Sequence, residues 1–126
     1  MKNLLEETIK ILESNHKNKN DVMWIGNGEY VISWTDFEKI ANIEYNNGYG
    51  AQEIASDLLV VGKDWWLERH EYDGAEGWDF KSLPQKDVKT KPFHYVKVDE
   101  KRGTSCGWAT IQNLEDVLQK SERVTE

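Results

Sequence analysis

The fold is decided by residues 58–83, which read LLVVGKDWWLERHEYDGAEGWDFKSL. Three segments of this stretch, Leu58–Val61, Trp65–Tyr72 and Trp78–Leu83, are rich in the aromatic and β-branched residues that favour strands. Glycine and aspartate, which favour turns, separate the segments. The stretch therefore predicts a three-stranded antiparallel meander, with its second turn over residues 73–77.

The central strand of this meander has two faces of different character, because successive side chains of a strand point to opposite sides of the sheet. One face carries Trp65, Leu67, Arg69 and Glu71, and the other carries Trp66, Glu68, His70 and Tyr72. We assign Trp65 to the core, since its face begins with two large apolar residues, and expect Arg69 to pair with an acid or to stack on a ring. The face of Trp66 is too polar to be fully buried.

Helix and turn signals precede the meander. Residues 3–14 repeat leucine and isoleucine at helical spacing, and a second helix is expected from the capping pair Thr35 and Glu38 through Tyr45. Between these helices, Asn-Gly at a turn predicts a β-hairpin over residues 22–32.

After the meander, residues 93–98 and 107–110 are expected to form strands and residues 112–121 a final helix. The chain is thus predicted to be an α+β protein with a mostly antiparallel sheet, made of a hairpin and a three-stranded meander, and about three helices. Its 126 residues favour a single domain over 1–126.

Charge is distributed unevenly along the chain. Residues 21–80 hold thirteen acidic and three basic residues, whereas residues 81–102 hold seven basic and three acidic ones. Four of these bases lie around the two prolines in a predicted exposed loop, namely Lys81, Lys86, Lys89 and Lys91. An acidic block repels phosphate, so direct nucleic-acid binding is not expected. The block suits either contact with a basic protein surface or, more plainly, a solvated face that aids solubility.

Composition excludes several classes of protein. No segment approaches the roughly 18 consecutive apolar residues of a membrane span, and residues 1–7 lack the apolar core of a secretory leader. The single cysteine, Cys106, excludes an internal disulfide and cysteine-pair metal sites. We therefore expect a cytoplasmic protein with no membrane partner.

Side chains suited to catalysis are sparse. Cys106 and His94 are the candidates for a thiol nucleophile and its base, although a lone cysteine is more often a small buried hydrophobe. Glu68, His70 and Asp73, with His94, are the candidates for metal ligands, but they match no ligand spacing typical of metal sites. We expect no catalytic residue, no metal and no cofactor.

The polar face of the central strand is the candidate for a binding surface, because an aromatic ringed by acids has the composition of a protein-binding hot spot. The expected contact residues are Trp66, Glu68, His70, Tyr72, Asp73 and Glu76, with Tyr49 extending the patch from its glycine-flanked loop. The alternative is a small-ligand site, for a nucleotide signal for example, that uses the aromatic sheet face with Arg69 and Lys81.

The sequence WWLERHEYDGAEGWDFK at residues 65–81 resembles small uncharacterised proteins encoded by phages and prophages of Gram-positive bacteria, which carry a pattern like WWLER-x-EYDG-x-E-x-W-x-[FY]-K. The likeness continues weakly upstream from Leu59 to Ile40. Where the pattern commonly has an aromatic residue, this chain has Gly77. The resemblance implies a genomic setting and no particular reaction.

Small acidic phage proteins without catalytic motifs are often inhibitors of host or defence proteins, of which anti-CRISPR and other counter-defence proteins are the obvious class. We therefore predict a non-enzymatic protein that acts in the cytoplasm of the bacterial host by binding a partner with a basic surface. A dimer is compatible with the sequence. The alternatives are a small-molecule or nucleotide-signal binding protein and, with no supporting motif, an enzyme.

Overall fold

A computed structural model describes residues 1–48, 50–104 and 107–124, the last four of these by backbone alone. The chain divides into two compact units, Met1–Pro84 and Gln85–Glu126. Within the described residues there are three α-helices and two antiparallel sheets, which confirms the α+β class. No helix in that part of the chain is long and apolar enough to cross a membrane. The single domain expected from the length stays a prediction.

The first unit contains seven strands and two α-helices in its described part. In chain order these are β1 (Lys2–Asn3), α1 (Leu4–Ser14), β2 (Trp24–Gly26), β3 (Val31–Ile32), α2 (Trp34–Ala41), β4 (Glu44–Tyr45), β5 (Leu59–Val61), β6 (Trp65–Tyr72) and β7 (Ala75–Ser82). Five strands pair in the order β3-β2-β5-β6-β7, so the predicted hairpin and the predicted meander belong to one sheet. The remaining two, β1 and β4, form a separate pair.

Helix α1 forms where the sequence predicts it. The Asn3 side chain caps its first turn by accepting a hydrogen bond from the Glu6 backbone at 3.0 Å. Leu4, Thr8 and Leu12 recur every fourth residue and are buried, as expected for one face of a helix. The buried Thr8 hydroxyl also accepts a hydrogen bond from the indole of Trp78 in β7 at 2.9 Å, which ties the helix to the sheet.

The core of the first unit lies between the sheet and its helices, and the predicted facing of β6 is confirmed. Trp65 is 3% exposed and Leu67 is fully buried. Trp65 stacks on Phe80 of β7, with the ring centroids 5.8 Å apart. The other buried apolar residues of this core are Leu4, Leu12, Ile25, Phe37, Ala41, Tyr45, Ile54, Val60 and Trp78.

The second helix begins and ends earlier than the sequence pattern suggests. Its cap is Ser33, whose hydroxyl accepts from the Asp36 backbone at 3.2 Å, so the capping pair proposed at Thr35 and Glu38 is wrong. The helix ends at Ala41, and Glu44–Tyr45 pairs with β1. The spacing of apolar residues predicted a helix through Tyr45 because Tyr45 falls on the buried face of such a helix. Tyr45 is equally buried on strand β4, so its burial does not distinguish the two structures.

The β6–β7 hairpin is longer than predicted. Tyr72 pairs directly with Ala75, so only Asp73 and Gly74 form the turn and residues 75–77 belong to β7. Asp73 has φ +53° and Gly74 has φ +86°. Two positive φ angles are the conformation of the tight primed turn that matches strand twist, and Asp-Gly is a preferred sequence for it.

The second unit has one α-helix in its described part, α3 (Ile111–Val124), after a 3₁₀ turn at Glu100–Arg102. The strands expected at residues 93–98 and 107–110 are wrong, because neither segment pairs with another strand among the described residues. The backbone N–H of His94 instead binds the carboxylate of Glu115. Thr110 and Asn113 exchange side-chain and backbone hydrogen bonds at the start of α3, so Thr110 is a helix cap.

Candidate functional site

The tip of the β6–β7 hairpin presents an aromatic side chain on a well-defined turn. Tyr72 is 82% exposed, directly before the turn residues Asp73 and Gly74. The carboxylate of Glu71 accepts the backbone N–H of Gly74 at 2.7 Å, which closes the turn. The tip therefore holds an exposed phenol ring, with the exposed acids Glu71 and Asp73 next to it in the chain, on a turn fixed by backbone geometry and by a hydrogen bond.

The outer face of β6 carries the other residues predicted to contact a partner. Trp66 is half-buried and its indole N–H donates to Glu68 at 2.8 Å. Lys81 of β7 lies directly opposite Trp66 and is exposed. His70 lies further along the same face, towards Tyr72 at the tip. The alternation thus brings Trp66, Glu68, His70 and Tyr72 to one face of the sheet, as predicted.

The His70 ring packs over Gly77 of the neighbouring strand. Gly77 is the cross-strand partner of His70, and a Cβ atom at Gly77 would lie 3.3 Å from the imidazole Cε1. The ring therefore covers the glycine, and its Nδ1 lies 3.1 Å from an Asp79 carboxylate oxygen. A larger side chain at Gly77 would displace the histidine from this position.

Three apolar residues that the sequence pattern does not assign to this surface share the outer face. Strand pairing places Val61 opposite Trp66, Trp24 opposite Val61, and Leu59 opposite Glu68. All three side chains are half-buried. Alternation along a strand shows which residues share a face, but it does not show which face of the next strand lies beside them. The pairing register between strands decides that, so the sequence carries no direct signal that Trp24, Leu59 and Val61 join the outer face.

Two of the predicted site residues, Arg69 and Glu76, lie on the inner side of the hairpin instead. The Arg69 side chain is 4% exposed, and its Nη2 lies 3.0 Å from Glu76 and 3.1 Å from the Tyr45 hydroxyl. Its guanidinium also lies over the Trp78 ring, 4.7 Å from the centroid. Arg69 therefore pairs and stacks as expected from its face, and Glu76, only 7% exposed, is its partner rather than part of the outer surface.

Glu7 completes this inner cluster and, with burial, alters the acidity of Tyr45. The Tyr45 hydroxyl donates to Glu7 at 2.5 Å, and Arg69 Nη1 lies 3.6 Å from the same carboxylate. Burial and the hydrogen bond to Glu7 raise the pKa of Tyr45 to about 12, against the opposing effect of Arg69. Desolvation acts to raise the pKa of Glu76, but backbone donors and Arg69 outweigh it and hold that pKa below its ordinary value.

The Glu76 carboxylate also anchors the loop that precedes β5. It accepts the backbone N–H groups of Glu53 at 2.9 Å and Ile54 at 3.2 Å. The Glu76 backbone N–H in turn donates to the Asn47 carbonyl at 2.8 Å. These bonds hold the start and the middle of the loop against β7. Tyr49, predicted to extend the contact surface from this loop, lies outside the described residues.

The geometry separates the residues of the small-ligand alternative. Arg69 points to the inner face and Lys81 to the outer face of the same hairpin, so these two side chains do not converge on one ligand. The described residues contain no group of three or more His, Cys, Asp or Glu side chains placed to hold a metal ion. Of the proposed thiol pair, His94 contacts Glu115, and Cys106 lies outside the described residues.

Comparisons with known proteins returned no relative. The chain matches no protein-family model, no curated protein sequence and no solved structure at significant similarity.

Proposed function

We propose that this chain is a non-enzymatic inhibitor that binds a protein with a basic surface, and that the tip and outer face of the β6–β7 hairpin are its contact surface. The contact residues are Trp66, Glu68, His70, Tyr72 and Asp73. Glu71 joins this set because it is exposed at the hairpin tip, where its carboxylate closes the turn. Arg69 and Glu76 support the surface from within.

The observation that carries the proposal is the 82% exposure of Tyr72 on a closed two-residue turn. Tyrosine is enriched among the residues that dominate binding energy at protein interfaces. The backbone next to the ring is already fixed by the turn, so binding orders only the side-chain torsions of Tyr72 and more of its contact energy appears as affinity.

Charge indicates the chemistry of the partner. Glu71 and Asp73 are exposed acids directly before and after Tyr72 in the chain, and the segment 21–80 has ten more acids than bases. Such a surface attracts lysine and arginine side chains and accelerates encounter with a basic protein at low salt. An inhibitor that covers a basic nucleic-acid-binding surface would have this charge.

The resemblance of residues 65–81 to phage and prophage proteins supports a biological setting for the proposal. In that setting the partner is a host or defence protein in the cytoplasm of a Gram-positive bacterium, and the inhibitor is of the anti-CRISPR or other counter-defence type. This part of the proposal is an analogy between protein classes.

Plating of phage on a host that carries an active defence system tests the function. Expression of the chain is expected to raise phage plating, and Tyr72→Ala is expected to abolish this effect. Trp108→Ala is the matched control, because Trp108 is a fully exposed aromatic of the other unit. No rise in plating across the defence systems tested, or equal effects of the two variants, would contradict the proposal.

A binding measurement tests whether the hairpin binds a protein partner, independently of whether that partner belongs to a defence system. The tagged chain is used to capture proteins from the host lysate, and the captured protein is then purified and titrated. We expect Tyr72→Ala to weaken binding by about 2 kcal/mol, or roughly 30-fold in Kd. Release of a small molecule by the purified chain, with no captured protein, would instead favour the small-ligand alternative.

A further inference from the structure

The first unit also has a concave surface, at the edge of the five-stranded sheet that lies farthest from β7. A groove of about 480 Å³ opens between the β2–β3 hairpin, α2 and the loop before β5. Buried core residues, including Ile25, Phe37 and Ile54, line it. Concave apolar sites of this size are where proteins commonly receive a ligand or a partner side chain.

Exposed apolar side chains cluster around this groove. Tyr30 is 75% exposed, Ile40 64%, Val31 49% and Ile43 47%, and all four line it. Single exposed apolar residues are ordinary on protein surfaces, but several around one cavity leave a contiguous patch in water. Burying that patch against a partner is favourable because it removes apolar area from water.

The charges at the groove are acidic. Glu53 is the one charged residue among the described residues that line it. Three exposed acids, Glu29, Glu44 and Asp57, directly precede or follow lining residues in the chain. The nearby base Lys39 lies 3.8 Å from the carboxylate of Asp36.

We propose that this groove, which we call the α2 groove, docks a segment of a partner protein that inserts large apolar side chains and carries lysine or arginine on both sides of them. The apolar walls select the inserted side chains, and the acids Glu29, Glu44, Glu53 and Asp57 select the flanking charges. The α2 groove shares no residue with the hairpin surface, so a test of binding at one site does not decide binding at the other.

A fluorescent synthetic peptide, Lys-Lys-Leu-Phe-Leu-Lys-Lys, tests the proposal by titration with the full chain. We expect saturable binding that Ile40→Glu weakens about tenfold or more, since it places a charge among the inserted side chains. Met23→Glu is the matched control, because Met23 is 66% exposed and lies outside the groove. Tyr72→Ala should leave peptide binding unchanged.

Three results would overturn the inference. One is the absence of saturable binding by the lysine peptide, and another is equal binding of the charge-reversed peptide Glu-Glu-Leu-Phe-Leu-Glu-Glu. The third is a dimer in sedimentation that Ile40→Glu dissociates, because the occupant of the groove would then be a second copy of this chain. Thermal melts of both variants show whether the fold is kept, which is expected for exposed positions.

Discussion

Replacing Arg69 by methionine should destabilise the first unit strongly. The Arg69 side chain is 4% exposed and lies between two carboxylates, 3.0 Å from Glu76 and 3.6 Å from Glu7. Methionine keeps much of the length of the side chain but leaves the two acids without their cation. Removing one partner of a buried ion pair typically costs about 3–5 kcal/mol, because the remaining charge stays desolvated. Small domains have about 5–15 kcal/mol of stability in all, so the loss is a large fraction of it.

Urea unfolding monitored by tryptophan fluorescence measures this loss. Lys39→Met is the matched control, because Lys39 also pairs with an acid but is 73% exposed. Exposed pairs contribute little, so the control should change the unfolding free energy by less than about 0.5 kcal/mol. If both substitutions had the same small effect on the free energy of unfolding, the Arg69 ion pairs could not be desolvated.

A second substitution distinguishes charge from packing. In the double variant Arg69→Met with Glu7→Gln, one of the two stranded charges is removed, and the Tyr45 hydroxyl keeps an oxygen acceptor. Part of the lost stability should therefore return, whereas a loss caused by packing around Trp78 would not recover.

Three further predictions follow from the same hairpin and its neighbours. Trp65→Ala should cost about 3–5 kcal/mol in thermal or urea unfolding, whereas Trp66→Ala should leave the fold standing and weaken partner binding; the reverse pattern would contradict the facing of β6. Gly74→Val should cost about 1–2 kcal/mol because φ is +86° there, and an unchanged melting temperature would argue against the turn. Tyr45 has a folded pKa of about 12 against about 10 unfolded, so its stabilising contribution is present below pH 10 and lost as pH rises from about 10 to 12. Unfolding free energies measured across that range should lose this pH dependence in Tyr45→Phe, and an unchanged dependence would contradict the assignment.

Local patterns in the sequence predicted the parts of the fold that local physics decides. The alternation of apolar and polar residues from Trp65 to Tyr72 identified both the strand and its buried face. Asp73-Gly74 identified where the turn begins, because its two positive φ angles suit those residues, but the predicted turn ran on to residue 77. Leucine and isoleucine at helical spacing likewise identified helix α1.

Features that depend on distant partners could not be predicted in this way. Tyr45 fits a helical spacing from Phe37, but the pairing of β4 with β1 decides its conformation. Residues 93–98 have a strand-like composition and no partner strand in the described part of the second unit. Glu76 looked like a surface acid because nothing local shows that Arg69 and the loop before β5 enclose it.

Association kinetics with the captured partner test whether that partner binds through the acidic tip of the β6–β7 hairpin. The double variant Glu71→Gln with Asp73→Asn removes two charges from the hairpin tip, keeps an acceptor for the Gly74 N–H, and places asparagine where φ is +53°. Glu6→Gln with Glu13→Gln, at two exposed acids of α1, removes the same number of charges and is the control for charge alone. We expect a slower association rate and a weaker salt dependence for the hairpin-tip variant only. An association rate equal to that of the unmodified chain would contradict binding through the acidic hairpin tip.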